Sequence, residues 1–400
     1  MTNDFGALRL LGEIEDTGRD PHRGGYSRHV FDAAEHDLRD WFIERAQRLG
    51  LNVIPDRNGN LWAWWGEPGP DAFVTGSHLD SVPGGGAHDG PLGVVSALAA
   101  VDRLQQRGFV PNRPFAVTVF AEEEGSRFGI ACLGSRLLSG AISAERAGDL
   151  KDAGGNRFAD VARAAGLPTP GRDAEALSRI GMFVELHVEQ GKGLIDMDAP
   201  VAVGSSILEH GRWRIDVRGQ GNHAGTTEIT DRRDPMLAAA EAVLAARRAA
   251  SRRAGSRATI GRIEPVPGGT NVIASRVSAW LDVRADSERD TRDIIAEVEQ
   301  AVIDAAAAEG CTASVVEESY SGEVRFDPAL RDRIAATLGN VPVLPTGAGH
   351  DAGVLAAHVP TAMLFVRNPS GVSHAPEEGA DDAAVEAGVD ALVRTIEELA

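Results

Sequence analysis

The sequence is short of cysteine, of basic residues and of long apolar runs, and each shortage excludes a class of protein. Its only cysteines, Cys132 and Cys311, cannot form a disulfide framework or a Cys-x-x-Cys site, which favours a reducing compartment. No apolar run approaches the ~18 residues that cross a bilayer, and the N-terminal segment lacks the basic and apolar regions of a signal peptide. We therefore expect a cytoplasmic protein without a membrane partner.

The charge balance is strongly acidic. Lys and Arg number 40 against 59 Asp and Glu, which gives a formal net charge of -19. A surface of this charge repels a phosphate backbone, so nucleic acid is excluded as a partner. The chain has 400 residues, of which 43% are apolar, and this is enough for two or three domains with cores of their own.

Apolar periodicity predicts one α/β domain built from both ends of the chain. Residues 73–78 and 115–121 have the pattern of buried strands, and they flank a helix over 91–107 whose apolar residues recur every three or four positions. Further strands are predicted at 182–188 and at 361–366. Near-continuous apolar strands separated by helices indicate a mostly parallel sheet that is flanked by helices and buried on both faces.

The pattern changes between residues 207 and 322. The order there is strand, helix, two strands, helix and strand, which is typical of a compact ferredoxin-like α+β fold. We therefore predict a discontinuous α/β domain made of residues 1–206 and 323–400, interrupted by a smaller inserted domain over 207–322.

The first chemical signal follows the strand at 73–78. His78 and Asp80 are predicted to lie where this strand ends, and Asp89 lies in a Gly-rich loop just before the helix. Ligands of open α/β sheets gather at the carboxyl ends of strands. A neutral imidazole binds zinc or a similar ion well, and a carboxylate two residues away can orient it. Taken alone, these residues are equally well explained as a strand-end histidine and a helix-capping aspartate.

Three consecutive carboxylates, Glu122–Glu124, follow the next strand. They would repel one another unless they were solvated or compensated by cations, and a divalent metal ion is such compensation. One glutamate would then coordinate the metal while its neighbour moves protons. An exposed acidic turn is the alternative, and it is favoured when His78 and Asp89 are left out of account.

Two further strand ends present histidines, His187 within Glu185–Gly191 and His374 within Asn368–Glu377. Each histidine alone is more often a structural residue than a ligand. Four strand ends that all present His, Asp or Glu are harder to attribute to chance. Two His, a shared Asp, a Glu and a further His provide enough ligands for two metal ions about 3.5 to 4 Å apart.

The chain as a whole resembles the M20 metallopeptidase-like amidohydrolases. Within them it is most similar to the hydantoinase/carbamoylase branch, which contains N-carbamoyl-L-amino acid hydrolases, β-ureidopropionases and allantoate amidohydrolases. Relatives that cut peptides usually carry an acidic ligand at the position of His187, so the H-V-E-Q-G element favours the amidohydrolases. The matching motifs occur in family order over residues 76–381: G-S-H-L-D-S-V, G-G-A-H-D-G, E-E-E-G-S-R-F, E-L-H-V-E-Q-G, G-N-H-A-G-T-T, G-G-T-N-V-I, L-D-V-R and S-G-V-S-H-A-P-E-E.

The resemblance implies a site for two metal ions. The implied ligands of one ion are His78 and His187. Those of the other are Glu124 and His374, with Asp89 bridging the two. Because zinc, manganese, cobalt and nickel all occupy such mixed nitrogen and oxygen ligand sets, the implied cofactors are two divalent transition-metal ions per subunit of any of these kinds.

The resemblance also implies that Glu123 acts as the general base in hydrolysis. The spacing of Asp80 from His78 adds a supporting catalytic residue, because Asp80 would orient His78.

Further implied contacts concern the substrate and a second subunit. His223 would stabilise the oxyanion of the tetrahedral intermediate, and it would serve the site of a neighbouring subunit. Asn271 and Arg284 match contacts to the substrate carboxylate, and Gln190 is a further substrate-binding candidate. Arg284 is as well explained as an ordinary strand-edge charge. The resemblance thus implies a homodimer formed through the insert, with domains that close on the substrate.

Three details need separate interpretation. Glu228–Ile229 stands beside His223, where the family usually has Pro-Met. This departure from the family pattern affects the substrate pocket more than the metal ligands. His88 precedes Asp89, but adjacent side chains rarely converge on one ion. Gly349–Ala352 is also typical of the family, and a helix N-cap by Asp351 explains it.

These observations predict a metal-dependent amidohydrolase that cleaves the ureido C–N bond of an N-carbamoyl-L-amino acid and releases the amino acid, CO2 and ammonia. Allantoate amidohydrolase is the alternative within the class. An aminoacylase or exopeptidase is disfavoured by His187. A metal-free binding protein is disfavoured because Glu123 and every predicted ligand are present.

Overall fold

The computed structural model describes residues 4–400, and these divide into two compact units. The discontinuous unit combines the described residues up to Ile207 with Arg325–Ala400, and the inserted unit is Leu208–Val324. Residues 1–3 lie outside the described residues. They are the first residues of the N-terminal segment that lacks the features of a signal peptide. Within residues 4–400, no helix has the length and apolarity needed to cross a membrane.

The first part of the discontinuous unit alternates strands with helices. In chain order its elements are α1 (Ala7–Glu13), α2 (Ala33–Arg48), β1 (Asn52–Pro55), β2 (Leu61–Trp65), β3 (Ala72–His78), α3 (Pro91–Gln106), β4 (Phe115–Phe120), α4 (Leu133–Ser139), α5 (Ala144–Gly148), α6 (Phe158–Ala164), α7 (Ala174–Arg179), β5 (Ile180–Val188), α8 (Gly193–Asp196) and β6 (Val201–Ile207). The elements β3, α3 and β4 confirm the predicted strand–helix–strand unit to within one residue at each end.

The inserted unit follows directly. In chain order its elements are β7 (Glu209–Arg218), β8 (Asn222–His223), a 3-10 turn (Ile229–Asp231), α9 (Pro235–Ser251), β9 (Arg257–Val266), β10 (Val272–Ile273), β11 (Arg276–Ala285), α10 (Glu288–Ala308) and β12 (Thr312–Ser321).

The chain then returns to the discontinuous unit. The first remaining element, β13 (Val324–Arg325), contains the boundary between the two units. It is followed by α11 (Pro328–Thr337), β14 (Val343–Thr346), α12 (Asp351–Leu355), β15 (Thr361–Val366) and α13 (Asp382–Leu399).

Within residues 4–400, a nine-stranded sheet forms the centre of the discontinuous unit. Its order is β1-β2-β4-β3-β5-β15-β6-β13, with β14 beside β6. The central strands β4, β3, β5 and β15 run parallel to one another, whereas β1 and β2 add antiparallel pairs at one edge and β6 pairs antiparallel with β15. The largely parallel sheet predicted from the sequence is therefore confirmed at its centre, with antiparallel strands outside it.

The central helix α3 is packed against the parallel strands. Its apolar residues are almost fully buried around the whole helix, which is typical of a helix with neighbours on every side. Helices α1 and α13 pack on it, as do the strands β3 and β5. Its first residue, Pro91, belongs in a first helical turn because a proline lacks the N–H that would have no partner there.

The inserted unit has a four-stranded antiparallel sheet in the order β12-β7-β11-β9. One face of this sheet packs against α9 and α10, where alanines of α9 such as Ala242 and Ala246 meet Ile215 and Val217 of β7 in a separate core. The residues that alternate with these along β7, such as Arg214 and Asp216, point to the other face. The inserted unit thus has a hydrophobic core of its own.

The close packing of α3 leads to a testable substitution. A Cβ added at Gly93 would lie 2.3 Å from the carbonyl oxygen of Leu186 and 2.7 Å from Cβ of Ser77. We expect Gly93→Ala to lower the free energy of unfolding by roughly 3 kcal/mol, because the helix must move away from the sheet. The measurement is denaturant unfolding of the full chain.

The matched control is Gly12→Ala in α1. Apart from its chain neighbours and the backbone of its own helix, no described atom lies within 4 Å of a Cβ added at Gly12. This variant should be neutral or more stable by up to about 1 kcal/mol because alanine is the better helix former. Equal unfolding free energies for the two variants would contradict the proposed packing of α3.

Candidate metal centre

The candidate site lies at the carboxyl ends of four neighbouring parallel strands, β4, β3, β5 and β15. His78 is the last residue of β3, and Glu122–Glu124 begin two residues after β4 ends. His187 is near the end of β5, and His374 lies in the loop after β15. Because parallel strands end at the same edge of a sheet, these side chains meet although they are far apart in the chain.

Five residues form two overlapping groups of potential ligand atoms. One group contains His78, Asp89 and His187, and the other contains Asp89, Glu124 and His374. Within each group the ligand atoms all lie within 4.8 Å of one another. The structure thus brings together all five residues that the sequence singled out as ligands, and Asp89 belongs to both groups.

The imidazoles of the first group are oriented as metal ligands require. Nδ1 of His78 lies 3.0 Å from the backbone oxygen of Asp80, and Nδ1 of His187 lies 2.9 Å from that of Val188. Because a carbonyl oxygen can only accept, Nδ1 carries a proton in both rings, and in the neutral form of each ring Nε2 has a free lone pair. Both Nε2 atoms and Asp89 Oδ2 are buried and have no hydrogen-bond partner in the described part of the chain.

The second group is less enclosed than the first. Nε2 of His374 lies 3.7 Å from Oδ2 of Asp89 and 3.7 Å from Oε2 of Glu124. The side chain of His374 is 52% exposed, whereas those of Asp89 and Glu124 are 2% and 5% exposed. His374 is therefore the one member of this group that depends on a loop at the surface for its position.

Asp80 acts on a different part of the site from the one expected. The sequence assigned it to the orientation of His78, but His78 Nδ1 bonds to the backbone oxygen of Asp80, and the Asp80 carboxylate is 3.7 Å away. Each oxygen of that carboxylate instead accepts a backbone N–H, from Glu123 and from Glu124, at 3.1 Å. Asp80 therefore fixes the turn after β4 and joins it to the end of β3.

The three consecutive glutamates have different surroundings. Glu122 has a φ of 55°, and its Oε1 accepts the backbone N–H groups of Arg127 and Phe128. Glu123 is buried with Oε2 at 3.7 Å from His78 Nε2, and Glu124 belongs to the second ligand group. These carboxylates therefore do not form the exposed acidic turn that was the alternative explanation.

Burial shifts the ionisation of the site. It lowers the pKa of His78 to about 4 and raises that of Glu123 well above its usual value, with the charges of Asp351 and Glu124 acting in the same direction. Burial also raises the pKa of Glu124, to which the nearby charge of Asp89 adds. Nearby positive charge favours the ionised form of such carboxylates, so the site is electrostatically matched to cations.

Gln190 and the Gly349–Ala352 segment are also at the site. Gln190 Nε2 donates to Asp89 Oδ1 at 3.2 Å. The prediction that Asp351 caps a helix is wrong, because Asp351 is the first residue inside α12 and its carboxylate accepts the hydroxyl of Ser135. The tertiary contact with Ser135 has replaced the local cap.

Sequence reasoning missed His350. Its ring centroid lies 4.5 Å from that of His187, and both of its ring nitrogens are buried without a hydrogen-bond partner in residues 4–400. The only signal was that Gly349–Ala352 matched a family motif. His88, which the sequence excluded as a ligand, belongs to neither ligand group.

The inserted unit carries His223, Asn271 and Arg284. His223 of β8 pairs with Val272 of β10, and Asn271 O accepts the N–H of Ala224 at 2.9 Å, so His223 and Asn271 are neighbours. The N–H of Gly225 donates to His223 Nδ1 at 3.1 Å. The neutral ring therefore carries its proton on Nε2, where it can be donated to a ligand.

Arg284 is distant from this pair within the inserted unit. Arg276 pairs with Arg218 at one end of an unbroken ladder between β11 and β7, and Arg284 pairs with His210 one residue before the other end. Eight residues separate Arg276 from Arg284, which corresponds to about 27 Å of strand. Asn271 precedes Arg276 in the chain and lies beside His223 on the β8–β10 pair, whereas Arg284 lies near the far end of the β11–β7 ladder.

Comparisons with known proteins agree with this geometry. The model of peptidase family M20/M25/M40 matches residues 74–398. The chain belongs to this family. It is 35% identical to an N-carbamoyl-L-amino acid amidohydrolase of Geobacillus stearothermophilus, with 98% of this chain and 97% of that protein covered. It is 30% identical to the allantoate amidohydrolase of Escherichia coli (strain K12), with 97% of this chain and 96% of that protein covered.

Solved structures extend the comparison of this M20 chain to three dimensions. An amidase of the hydantoinase/carbamoylase family from Burkholderia vietnamiensis superposes with a TM-score of 0.88 at 29% identity, covering 100% of this chain and 99% of that one. The structure of AtUAH in complex with glyoxylate gives a TM-score of 0.88 at 28% identity, covering 98% and 97% of the two chains. The mixed α/β fold with a largely parallel central sheet is thus shared with known amidases.

Proposed function

We propose that the chain is a binuclear metal-dependent amidohydrolase that cleaves the ureido C–N bond of N-carbamoyl-L-amino acids. The observation that supports this most strongly is the pair of ligand groups that share Asp89, beside a buried carboxylate, Glu123, that belongs to neither group. Relatives named N-carbamoyl-L-amino acid amidohydrolase, from Geobacillus stearothermophilus and Paenarthrobacter aurescens, support the substrate class.

The proposed ligands fit two divalent ions. Asp89 would be shared, with His78 and His187 at one ion and Glu124 and His374 at the other. The free Nε2 lone pairs and the unpartnered buried oxygen of Asp89 within the described chain support this assignment, and the mixed nitrogen and oxygen donors are compatible with zinc, manganese, cobalt or nickel. When bound, such ions act as Lewis acids toward a carbonyl oxygen and lower the pKa of water.

Glu123 is proposed as the general base. Water adds to the ureido carbonyl carbon, and Glu123 accepts its proton and passes it to the amino nitrogen as the C–N bond breaks. The amino acid leaves, and the remaining carbamic acid decomposes to CO2 and ammonia. Burial raises the pKa of Glu123, and the positive charge of bound ions would favour its ionised form, in which the carboxylate can accept a proton.

Gln190 and His350 are proposed to contact the substrate. The Gln190 amide already reaches the site, where it donates to Asp89. His350 is 2% exposed and lies beside His187, and its ring nitrogens have no partner among the described residues. Because an unpartnered buried polar group is costly, a polar group of the substrate would stabilise His350.

We further propose that the inserted unit forms a homodimer and completes the site of the partner. His223, as an Nε2 donor, would stabilise the oxyanion, and Asn271 and Arg284 would bind the substrate carboxylate. The separation of about 27 Å between the two ends of β11 supports this arrangement. Each site would combine Arg284 of one subunit with the His223 and Asn271 of the other.

Allantoate hydrolysis is the second candidate. It would use the same ligands and the same base, and the 30% identical relative from Escherichia coli favours it. The departure at Glu228–Ile229 lies next to His223 in sequence, and Ile229 is 76% exposed in the inserted unit. This segment is therefore a candidate for discrimination between the two substrates.

A substrate screen tests the proposed function. We expect ammonia release from N-carbamoyl-L-amino acids to exceed that from allantoate, with dipeptides and N-acetyl amino acids as controls that release no product. Preference for allantoate would select the second candidate. Turnover confined to dipeptides would refute both.

Replacement of the proposed base separates chemistry from metal binding. Glu123→Gln should reduce turnover by about 10²- to 10⁴-fold because the amide cannot accept the proton. Metal content, measured by elemental analysis, should stay at the wild-type level because Glu123 is in neither ligand group. Glu145→Gln, at an exposed position of α5, is the matched control. Undiminished turnover by Glu123→Gln would remove Glu123 from the mechanism.

Mixed dimers test the shared site. His223→Ala and Arg284→Ala should each be nearly inactive alone. After unfolding and refolding together in equal amounts, they should recover about a quarter of the wild-type activity, because half of the dimers are mixed and each of these has one intact site. A mixture as inactive as its components would show that both residues serve the same subunit's site or that no dimer forms.

A further inference from the structure

Glu378 is a buried carboxylate outside both ligand groups. It is 3% exposed, and its Oε2 accepts the backbone N–H of His374 at 3.1 Å. Its own N–H donates to the backbone oxygen of Ala375. Glu378 thus closes the loop that carries His374 with a side-chain hydrogen bond and a backbone hydrogen bond.

The backbone of His374 needs such support. Its φ is 56°, in the left-handed region that residues other than glycine rarely occupy. Its side chain is 52% exposed, so the packing that holds His78 and His187 is largely missing around it. The hydrogen bond to Glu378 is therefore the contact that holds the N–H of His374 in this conformation.

Glu378 also contacts the loop that leads to Asp89. A Cβ added at Gly86 would lie 2.5 Å from Cβ, 3.0 Å from Cγ and 3.0 Å from the backbone oxygen of Glu378. Glycine at position 86 thus lets Glu378 pack directly against this loop. Glu378 lies between the chain segments that supply two of the three residues of the second ligand group, Asp89 and His374.

We propose that Glu378 is a positioning residue that assembles the ligand group of Asp89, Glu124 and His374 by tying the His374 loop to the loop before Asp89. This inference rests on the proposed function, since it requires that the second group binds a metal ion. It assigns Glu378 no contact with the substrate or with the metal. Outer partners of this kind change metal affinity by about 10- to 100-fold when they are replaced.

Zinc binding by the metal-depleted full chain tests the inference, with calorimetric titration of Zn²⁺ alone as the readout. The wild-type chain should bind two Zn²⁺ ions. Glu378→Ala should bind the first ion as the wild type does and the second about 10- to 100-fold more weakly, because only the second group contains His374. Gly86→Ala should reproduce this effect, since its Cβ displaces Glu378.

Two variants separate positioning from general destabilisation. Glu378→Gln keeps a side-chain oxygen that can accept from His374, so its second affinity should stay near the wild-type value. Glu377→Ala removes the exposed neighbouring carboxylate and should change neither affinity. The melting temperature of each metal-depleted variant shows whether it is folded, and Gly86→Ala decides the inference if Glu378→Ala does not fold.

The outcomes distinguish the inference from the function on which it rests. A wild-type chain that binds fewer than two ions overturns both. A wild-type chain that binds two ions, with an unimpaired Glu378→Ala, overturns the inference alone. The same holds if both ions are weakened equally, or if Glu378→Gln is as impaired as Glu378→Ala.

Discussion

The buried carboxylate of Asp89 is the constraint on which the candidate site depends, because both groups of potential ligands contain it. A buried carboxylate is costly unless hydrogen bonds or cations compensate its charge. Asp80 and Glu122 accept backbone N–H groups from the turn after β4, whereas one oxygen of Asp89 has no such donor in the described chain. The carboxylates bonded to the backbone therefore shape the loops, and Asp89 stays available for ions.

The central sheet fixes the positions of the ligand side chains that lie on its strands. His78 and His187 lie on strands whose neighbours are fixed by continuous hydrogen-bond ladders, and α3 approaches these strands closely because Gly93 has no side chain. His374 is the exception, since it lies eight residues beyond the end of β15 in a loop. A ligand on a loop needs contacts of its own, and Glu378 provides the one to its backbone. The same site thus uses a rigid scaffold for one ligand group and a local hydrogen bond for the other.

How much the sequence predicts depends on the range of the interaction. Apolar periodicity is a local property, and it located β3, α3 and β4 to within one residue. The contact of Asp351 with Ser135 spans 216 positions, so a local rule assigned Asp351 to a cap that it does not form. The placement of Arg284 relative to the β8–β10 pair that carries Asn271 depends on the register of β11 with β7, which local patterns do not give. The family motifs assigned Asn271 and Arg284 to the same substrate carboxylate without taking the strand pairing into account.

A histidine in place of an acidic residue at position 187 changes the charge of the proposed ligand groups. If the groups hold two divalent ions, only Asp89 and Glu124 among the five ligand candidates contribute negative charge, and the imidazole of His187 adds none. The loaded site then keeps excess positive charge next to Glu123. An acidic residue at position 187 would cancel part of it and would face Asp89, whose Oδ1 lies 3.3 Å from His187 Nε2. Because hydrolysis of a carboxylate-bearing ureide brings an anion to the site and develops a further negative charge on the carbonyl oxygen, the neutral ligand leaves more positive charge to stabilise both.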